Sequence, residues 1–208
     1  MNLEALYELR LWTPRLELRV PTADELDTLF EVAAAGIHPP DVMPFAVAWT
    51  DNLTRDRFVD YHRQSLESWS PQAWTFDLGT WTDGVLVGVQ GIGAKGFAES
   101  RTVATGSWLG VPHQGRGVGT EMRAAVIELA FRHLGAKAVT SGAFETNLAS
   151  RRVSEKLGYR VVGHETKSPR GTPQPHVLLR LERADWPGAP FPVAVEGIEP
   201  CLQLFGAC

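Results

Sequence analysis

A run of glycines in the middle of the chain has the composition of a phosphate-binding loop. Gly115, Gly117 and Gly119 alternate with larger residues, shortly after an apolar stretch that ends at Pro112, and an amphipathic helical pattern follows them. Backbone N–H groups at the start of a helix attract anions, because the helix dipole is positive there. Glycine allows a phosphate to approach the backbone closely, since no Cβ intervenes. The segment therefore predicts a site for a pyrophosphate group.

Three classes of phosphate-binding loop have glycine patterns that can be compared with this segment. A P-loop requires a lysine directly after its last glycine, and none follows here. A dinucleotide-binding loop requires Gly-x-Gly-x-x-Gly and an acidic residue about 20 positions further on. In this chain the third glycine comes one position early, and the region around Val139 and Thr140 offers no carboxylate. Residues 114–120, Gln-Gly-x-Gly-x-Gly-Thr, resemble instead the coenzyme A loop of the GNAT superfamily of N-acetyltransferases. A glycine-rich turn without a ligand is the structural alternative.

A second segment resembles the same superfamily. Asn147 can cap a short helix, Val153 and Leu157 lie four positions apart on one face, and Gly158 suits the left-handed position after its end. Residues 147–159, Asn-x-x-Ser-x-x-Val-x-Glu-Lys-Leu-Gly-Tyr, are similar to a block of the ribosomal-protein N-terminal acetyltransferase (RimJ/RimL-type) branch. Taken alone the segment is an ordinary capped surface helix, but two motifs in this order favour the family. The resemblance extends over roughly residues 14–186.

The resemblance implies an acyl-CoA-dependent N-acyltransferase that needs no metal. Acetyl-CoA is the expected donor, succinyl-CoA is an alternative, and the acceptor would be the primary amine of a protein N-terminus, a lysine or a small molecule. Pantetheine would lie between two parallel strands that end near Val111 and Phe144, and the backbone N–H of Leu109 or a neighbour would face the reacting oxygen. The residues expected to contact coenzyme A are Trp108, Leu109, Gly110, Val111, Gln114, Gly115, Arg116, Gly117, Val118, Gly119, Thr120, Asn147, Ser150 and Arg151.

The most familiar catalytic groups of that superfamily are missing. Many members carry a glutamate in the strand before the loop, where residues 102–106 contain no carboxylate. Many also carry a tyrosine seven residues after the capping asparagine, where this chain has Ser154. Glu145, Ser141 and Ser154 are the remaining candidates for moving a proton, although each could be only a loop or packing residue. Their weakness leaves a second hypothesis open, a non-catalytic CoA-binding regulatory or interaction protein.

An irregular segment between residues 36 and 51 is the candidate for holding the acceptor. A loop of this length in a compact domain is usually functional. Met43, Phe45 and Trp49 could form the walls of a pocket, or could simply fasten the loop to the core. His38 and Asp41 could bind or deprotonate an amine. His38, Arg19 or another cation could also pair with the carboxylate of an anionic acyl group such as succinyl.

Composition narrows the class of protein further. The chain has 208 residues, of which 44% are hydrophobic, enough for one domain with a substantial core. A net charge of −4 and the lack of a basic stripe argue against nucleic-acid binding. No apolar run approaches the length of a membrane span. We therefore expect that the protein has no membrane partner and is cytoplasmic. Cys201 and Cys208, both near the C-terminus, suggest neither a disulfide framework nor a metal site.

The fold expected is α/β (α+β), a single GNAT domain over residues 1–186. Its mixed, mostly antiparallel sheet would be flanked by helices, and splayed parallel strands would form the coenzyme A cleft. Periodicity predicts strands at 16–20, 74–81, 85–94, 103–111, 138–144, 161–165 and 177–181. It predicts helices at about 21–36, 54–69, 118–134 and 147–158.

The last residues, 187–208, form a proline-rich apolar tail that would pack on the domain or on a neighbouring subunit. Exposed apolar patches usually find a partner surface, and most soluble oligomers are symmetric. A homo-oligomer is therefore expected, with folding back onto the same chain as the alternative.

Overall fold

The computed structural model describes residues 2–207. The helices are α1 (Glu4–Glu8), α2 (Ala23–Ala34), α3 (Arg55–Glu67), α4 (Phe97–Ser100), α5 (Val118–Glu128) and α6 (Leu148–Lys156). The strands are β1 (Arg10–Trp12), β2 (Leu16–Arg19), β3 (Ala73–Thr82), β4 (Val85–Lys95), β5 (Thr102–Leu109), β6 (Ala138–Phe144), β7 (Arg160–Lys167), β8 (Gln174–Glu182) and β9 (Ala194–Glu196).

All nine strands belong to one sheet, in the order β7-β8-β6-β5-β4-β3-β2-β1-β9. Every neighbouring pair is antiparallel except β5 and β6. The predicted mixed, mostly antiparallel sheet with flanking helices is confirmed. The short strands β1 and β9 were not predicted, because a strand of three residues is too short for alternation to be recognised.

The two faces of the sheet bury different sets of side chains. Alternate residues of a strand point to opposite faces, so Phe76 and Leu78 of β3 join a large core that includes most of α5. Leu29 of α2, Phe58 of α3 and Val89 of β4 belong to a smaller core on the other face. The sheet therefore separates the α5 side of the molecule from the α2 and α3 side.

The parallel pair β5–β6 opens into a wedge. The two strands are in register only from Thr102–Ala138 to Ala104–Thr140. Beyond these residues β5 continues to pair with β4 and β6 with β8, so the two strands diverge toward their C-terminal ends. This is the splayed cleft that the sequence predicted.

The C-terminal tail packs on its own chain. β9 pairs with β1, and Ile198, Cys201 and Phe205 are buried in the large core. The indole N–H groups of Trp69 and Trp74 donate to the carbonyl oxygens of residues 204 and 205, at 2.9 and 3.2 Å. The apolar residues that suggested a subunit interface are thus covered within the chain, as in the fold-back alternative. Cys208 lies outside the described residues.

Candidate active site

The glycine loop presents a series of unused backbone donors. Gly115 and Gly117 adopt left-handed conformations, with φ of +72° and +82°, and α5 begins directly after Gly117. The carbonyl of Gly117 accepts from the N–H groups of Thr120 and Glu121, each at 3.1 Å. Within residues 2–207, no acceptor contacts the N–H groups of residues 115–119. The loop therefore fits an anionic group such as a diphosphate.

Side chains from other elements hold this loop in place. Gln114 donates its amide to the carbonyls of Leu109 and Ile37, at 2.8 and 2.7 Å. Arg15 donates to the carbonyl of Arg116 at 3.1 Å and pairs with Glu121 of α5. Gln114 is thus tied to the strand end and to the segment after α2, and it shapes the loop through its amide group. Arg116 is exposed, whereas Val118 is buried at the start of α5.

The second motif lies next to the same helix end. Asn147 accepts from the N–H of Ser150 at 3.1 Å, which confirms the cap of α6. A Cβ placed on Gly119 would lie 3.8 Å from Val153, so α5 and α6 pack closely at the loop. Arg151, which is exposed, donates to the carbonyl of Glu145. The structure therefore brings both coenzyme A motifs together.

None of the three predicted catalytic residues lines an acceptor cavity. Glu145 is exposed after β6, and its carboxylate lies 3.8 Å from Nε2 of His164. Ser154 is fully buried and donates within α6 to the carbonyl of Ser150. Ser141 donates to the carbonyl of Thr105 and accepts from Arg123. The carboxylate of Glu145 and the hydroxyls of Ser141 and Ser154 thus contact other groups of the chain.

A cavity of about 770 Å³ lies between the sheet, α3 and the segment before α3. Its volume is in the range of small-molecule sites. Ala104, Gly106 and Trp108 of β5 form one side of it, so the cavity reaches the strand that leads to the glycine loop. The ring of Trp49 packs against those of Phe45 and Trp108, at centroid distances of 5.2 and 6.0 Å.

The other residues predicted to bind the acceptor have structural partners. Phe45 and Trp49 line the cavity as predicted, but Met43 is buried beneath the loop and does not line it. His38 contacts Thr50 Oγ1 and the carbonyl of residue 39, both at 2.8 Å. Asp41 is exposed outside the lining. Two of the five predicted residues therefore line this cavity, and the binding of the acceptor by this segment stays a prediction.

The acidic group of the cavity is Asp77 of β3, which the sequence analysis did not select. It is the one carboxylate among the lining residues, and it shares a side-chain hydrogen bond with Tyr61 of α3. A Cβ on Gly91 would lie 2.5 Å from Asp77 Oδ1 and 3.4 Å from the carbonyl oxygen of Gly106. The absent side chain at Gly91 therefore lets the carboxylate lean across β4 toward β5.

Burial sets the charge states of this cavity. It raises the pKa of Asp77 to about 6, although the hydrogen bond from Tyr61 acts in the opposite direction. Burial also lowers the pKa of His62, another lining residue, to about 4. His62 is therefore neutral near pH 7. A carboxylate in the middle of an apolar strand was the available signal for Asp77, since aspartate is depleted in strands.

The chain belongs to the GNAT family of acetyltransferases, whose domain matches residues 15–160. The probable N-acetyltransferase YjcK of Bacillus subtilis is 28% identical over 133 residues, which cover 63% of this chain and 72% of the relative.

Solved structures share the fold. RimJ of Mycobacterium smegmatis, in complex with CoA-disulfide, matches with a TM-score of 0.70 and 17% identity, over 89% of this chain and 92% of that one. The RimL ribosomal alpha-N-protein acetyltransferase, in complex with coenzyme A, matches with a TM-score of 0.66 and 12% identity, over 82% and 95%. The predicted GNAT domain is confirmed, and RimJ and RimL are among the proteins that share its fold. Between residues 2 and 207, no helix has both the length and the apolarity needed to cross a bilayer.

Proposed function

We propose that the protein transfers an acyl group from acyl-CoA to a primary amine held in the cavity beside α3. The acceptor is the amine of a protein N-terminus, a lysine side chain or a small molecule. The observation that carries this proposal is the position of Asp77, a lone carboxylate in an aromatic cavity that opens onto β5. Such a group attracts an ammonium ion, and the faces of aromatic rings add to that attraction.

The donor side is supported by the two motifs. The free N–H groups of residues 115–119 would hold the diphosphate, and α6, which carries Ser150 and Arg151 and is capped by Asn147, packs against the start of α5 at Gly119. The edge of β5 that no longer pairs with β6 after Ala104 is available to pantetheine, as to an added strand. When bound, acyl-CoA supplies an activated thioester carbonyl.

Asp77 replaces the glutamate that many relatives carry on β5. Its raised pKa makes it a better proton acceptor than an ordinary aspartate. The bound ammonium ion first loses one proton to solvent. The nitrogen of the neutral amine then forms a bond to the acyl carbon and gives up a second proton to Asp77, the carbon–sulfur bond breaks, and sulfur leaves with its electron pair. The proton then returns from Asp77 to sulfur or to solvent.

Two variants of the carboxylate test this assignment. Asp77→Asn should lower kcat/KM by about 100-fold or more, the size expected for a general base, while calorimetry shows unchanged CoA affinity. Gly91→Ala keeps the carboxylate but forces it away from β5, so it should also lose activity. Thiol release from acetyl-CoA with a panel of amines measures both variants.

Matched controls make the result decisive. Asp60→Asn removes a carboxylate from the same helix face as Arg63, away from the cavity lining, and should keep full activity. Full activity in Asp77→Asn, or loss of activity only in Glu145→Gln, would reject the role of Asp77. Tight CoA binding without turnover on any amine would favour the alternative of a non-catalytic CoA-binding protein.

A further inference from the structure

A buried arginine without a counter-charge lies under the cleft between β5 and β6. Arg123 of α5 is only 3% exposed. Its guanidinium donates to Gln90 Oε1 at 3.3 Å, Ser141 Oγ at 3.1 Å and Ser107 Oγ at 2.9 Å. It also contacts the hydroxyl of Tyr159, whose pKa is raised by burial, so that this group is neutral as well.

The nearby acidic residues are committed to other cations. Glu121 and Glu128 lie on α5, the helix that carries Arg123. Glu121 pairs with Arg15, and Glu128 pairs with Arg132. Across residues 2–207, no carboxylate comes within 4.0 Å of Arg123. A buried charge is costly unless it is paired, and neutral hydroxyls and amides compensate only part of that cost.

The guanidinium of Arg123 lies where β5 and β6 diverge. Ser107 and Ser141 lie on the two diverging strands, beyond the last parallel pair of Ala104 and Thr140. The guanidinium therefore bridges β5 and β6 where the cleft opens, and Ser107 also lines the acceptor cavity. Arg123 comes four residues after Gly119, so about 6 Å of helix separate it from the diphosphate loop.

We propose that Arg123 binds the free carboxylate of a dicarboxylic acyl group, so that the preferred donor is a short dicarboxylic acyl-CoA such as succinyl-CoA. This inference rests on the proposed function. An arginine fork matches a carboxylate in shape, and the Ser107 and Ser141 hydroxyls can rotate to donate to it. An acetyl group carries no charge and would leave the guanidinium unpaired. The cations suggested by the sequence are occupied: Arg19 pairs with Glu25 at 2.6 Å, and His38 is bonded within its loop.

Titration calorimetry with CoA, acetyl-CoA and succinyl-CoA tests this inference without relying on turnover. The wild-type protein should bind succinyl-CoA about tenfold or more tightly than acetyl-CoA, as one charge-assisted pair predicts. Arg123→Gln should lose that preference while it keeps its affinity for CoA. Arg132→Gln removes an exposed cation from the turn that follows α5 and should keep the preference.

The outcomes separate this inference from the proposed function. Equal affinities in the wild type, tighter binding of acetyl-CoA, or a preference that survives in Arg123→Gln would overturn the role of Arg123 alone. Failure to bind any of the three compounds would overturn both. If Arg123→Gln does not fold, the wild-type comparison still decides, and Arg123→Lys, which keeps the charge but loses the fork, should show a reduced preference.

Discussion

At the scale of single residues, the proposed proton acceptor lies on β3 and not on β5. β5 has no carboxylate between residues 102 and 106, yet Asp77 lies two strands away with only Gly91 in between. The glycine matters because any Cβ at that position would meet the carboxylate oxygen. The absence of a carboxylate from β5 is therefore weak evidence against activity, because a glycine on the neighbouring strand leaves room for a carboxylate from the strand beyond it.

The pKa of Asp77 predicts how stability depends on pH. Because its pKa is raised to about 6 in the folded protein, the folded state holds this proton more tightly than the unfolded chain does. The stabilisation is present below the ordinary pKa of aspartate and is lost as pH rises through about 6. Asp77→Asn should therefore be more stable than the wild type at pH 7 to 8, and this advantage should vanish near pH 4.

Urea unfolding of both proteins at the two pH values measures this difference. His62 has a lowered pKa, so both proteins lose stability as pH falls toward about 4, and only the difference between them at each pH reports on Asp77. An equal stability of variant and wild type at both pH values would show that the carboxylate is fully solvated.

At the scale of elements, the parts that the sequence could predict are the local ones. The conformation of the glycine loop and the cap of α6 depend on residues close together in the chain, so their spacing was sufficient to predict them. Asp77 and Arg123 became visible only in the structure, because their surroundings depend on strand register and on which helix face meets the sheet. Ser141 was selected for its place on β6, but its hydroxyl is bound to Arg123, a contact over 18 positions.

The junction of the loop with α5 predicts a binding defect without a folding defect. A Cβ on Gly119 would make only ordinary contacts, the nearest at 3.8 Å from Leu109 and Val153, so Gly119→Val should fold. Its side chain would crowd the free N–H groups and lower CoA affinity by about tenfold or more. Calorimetry on the variant, with circular dichroism to confirm its fold, measures this effect. Unchanged affinity in a folded variant would refute the diphosphate site.

The cap of α6 predicts separate effects on stability and on acyl-CoA binding. Asn147→Ala removes the acceptor for the N–H of Ser150 and should cost about 1 kcal/mol of stability. Because this end of α6 lies beside the loop, the KM for acyl-CoA should rise as well. Thermal unfolding and initial rates measure the two effects separately. A lower melting temperature with normal kinetics would leave Asn147 with the cap alone.

At the scale of the whole molecule, the tail completes the large core. Phe205 has no exposed surface and packs against Trp69, Trp74 and Phe76, with ring centroids 4.9 to 5.5 Å apart. β9 pairs with the outer side of β1, so this end of the sheet is a strand of only three residues, and a short edge strand offers little backbone for pairing with another chain. The apolar tail is thus no longer an argument for a homo-oligomer, which stays a prediction.

Truncation after Trp186 distinguishes a core role of the tail from an interface role. If the tail completes the core, the protein lacking residues 187–208 should melt far below the full chain or aggregate. Phe205→Ala in the full chain should then cost about 3 to 5 kcal/mol, the usual range for a buried phenylalanine. Light scattering gives the oligomeric mass of the full chain and of the truncated protein, and thermal unfolding gives their melting temperatures. A truncated protein of unchanged melting temperature, but of smaller oligomeric mass than the full chain, would instead identify the tail as a subunit interface.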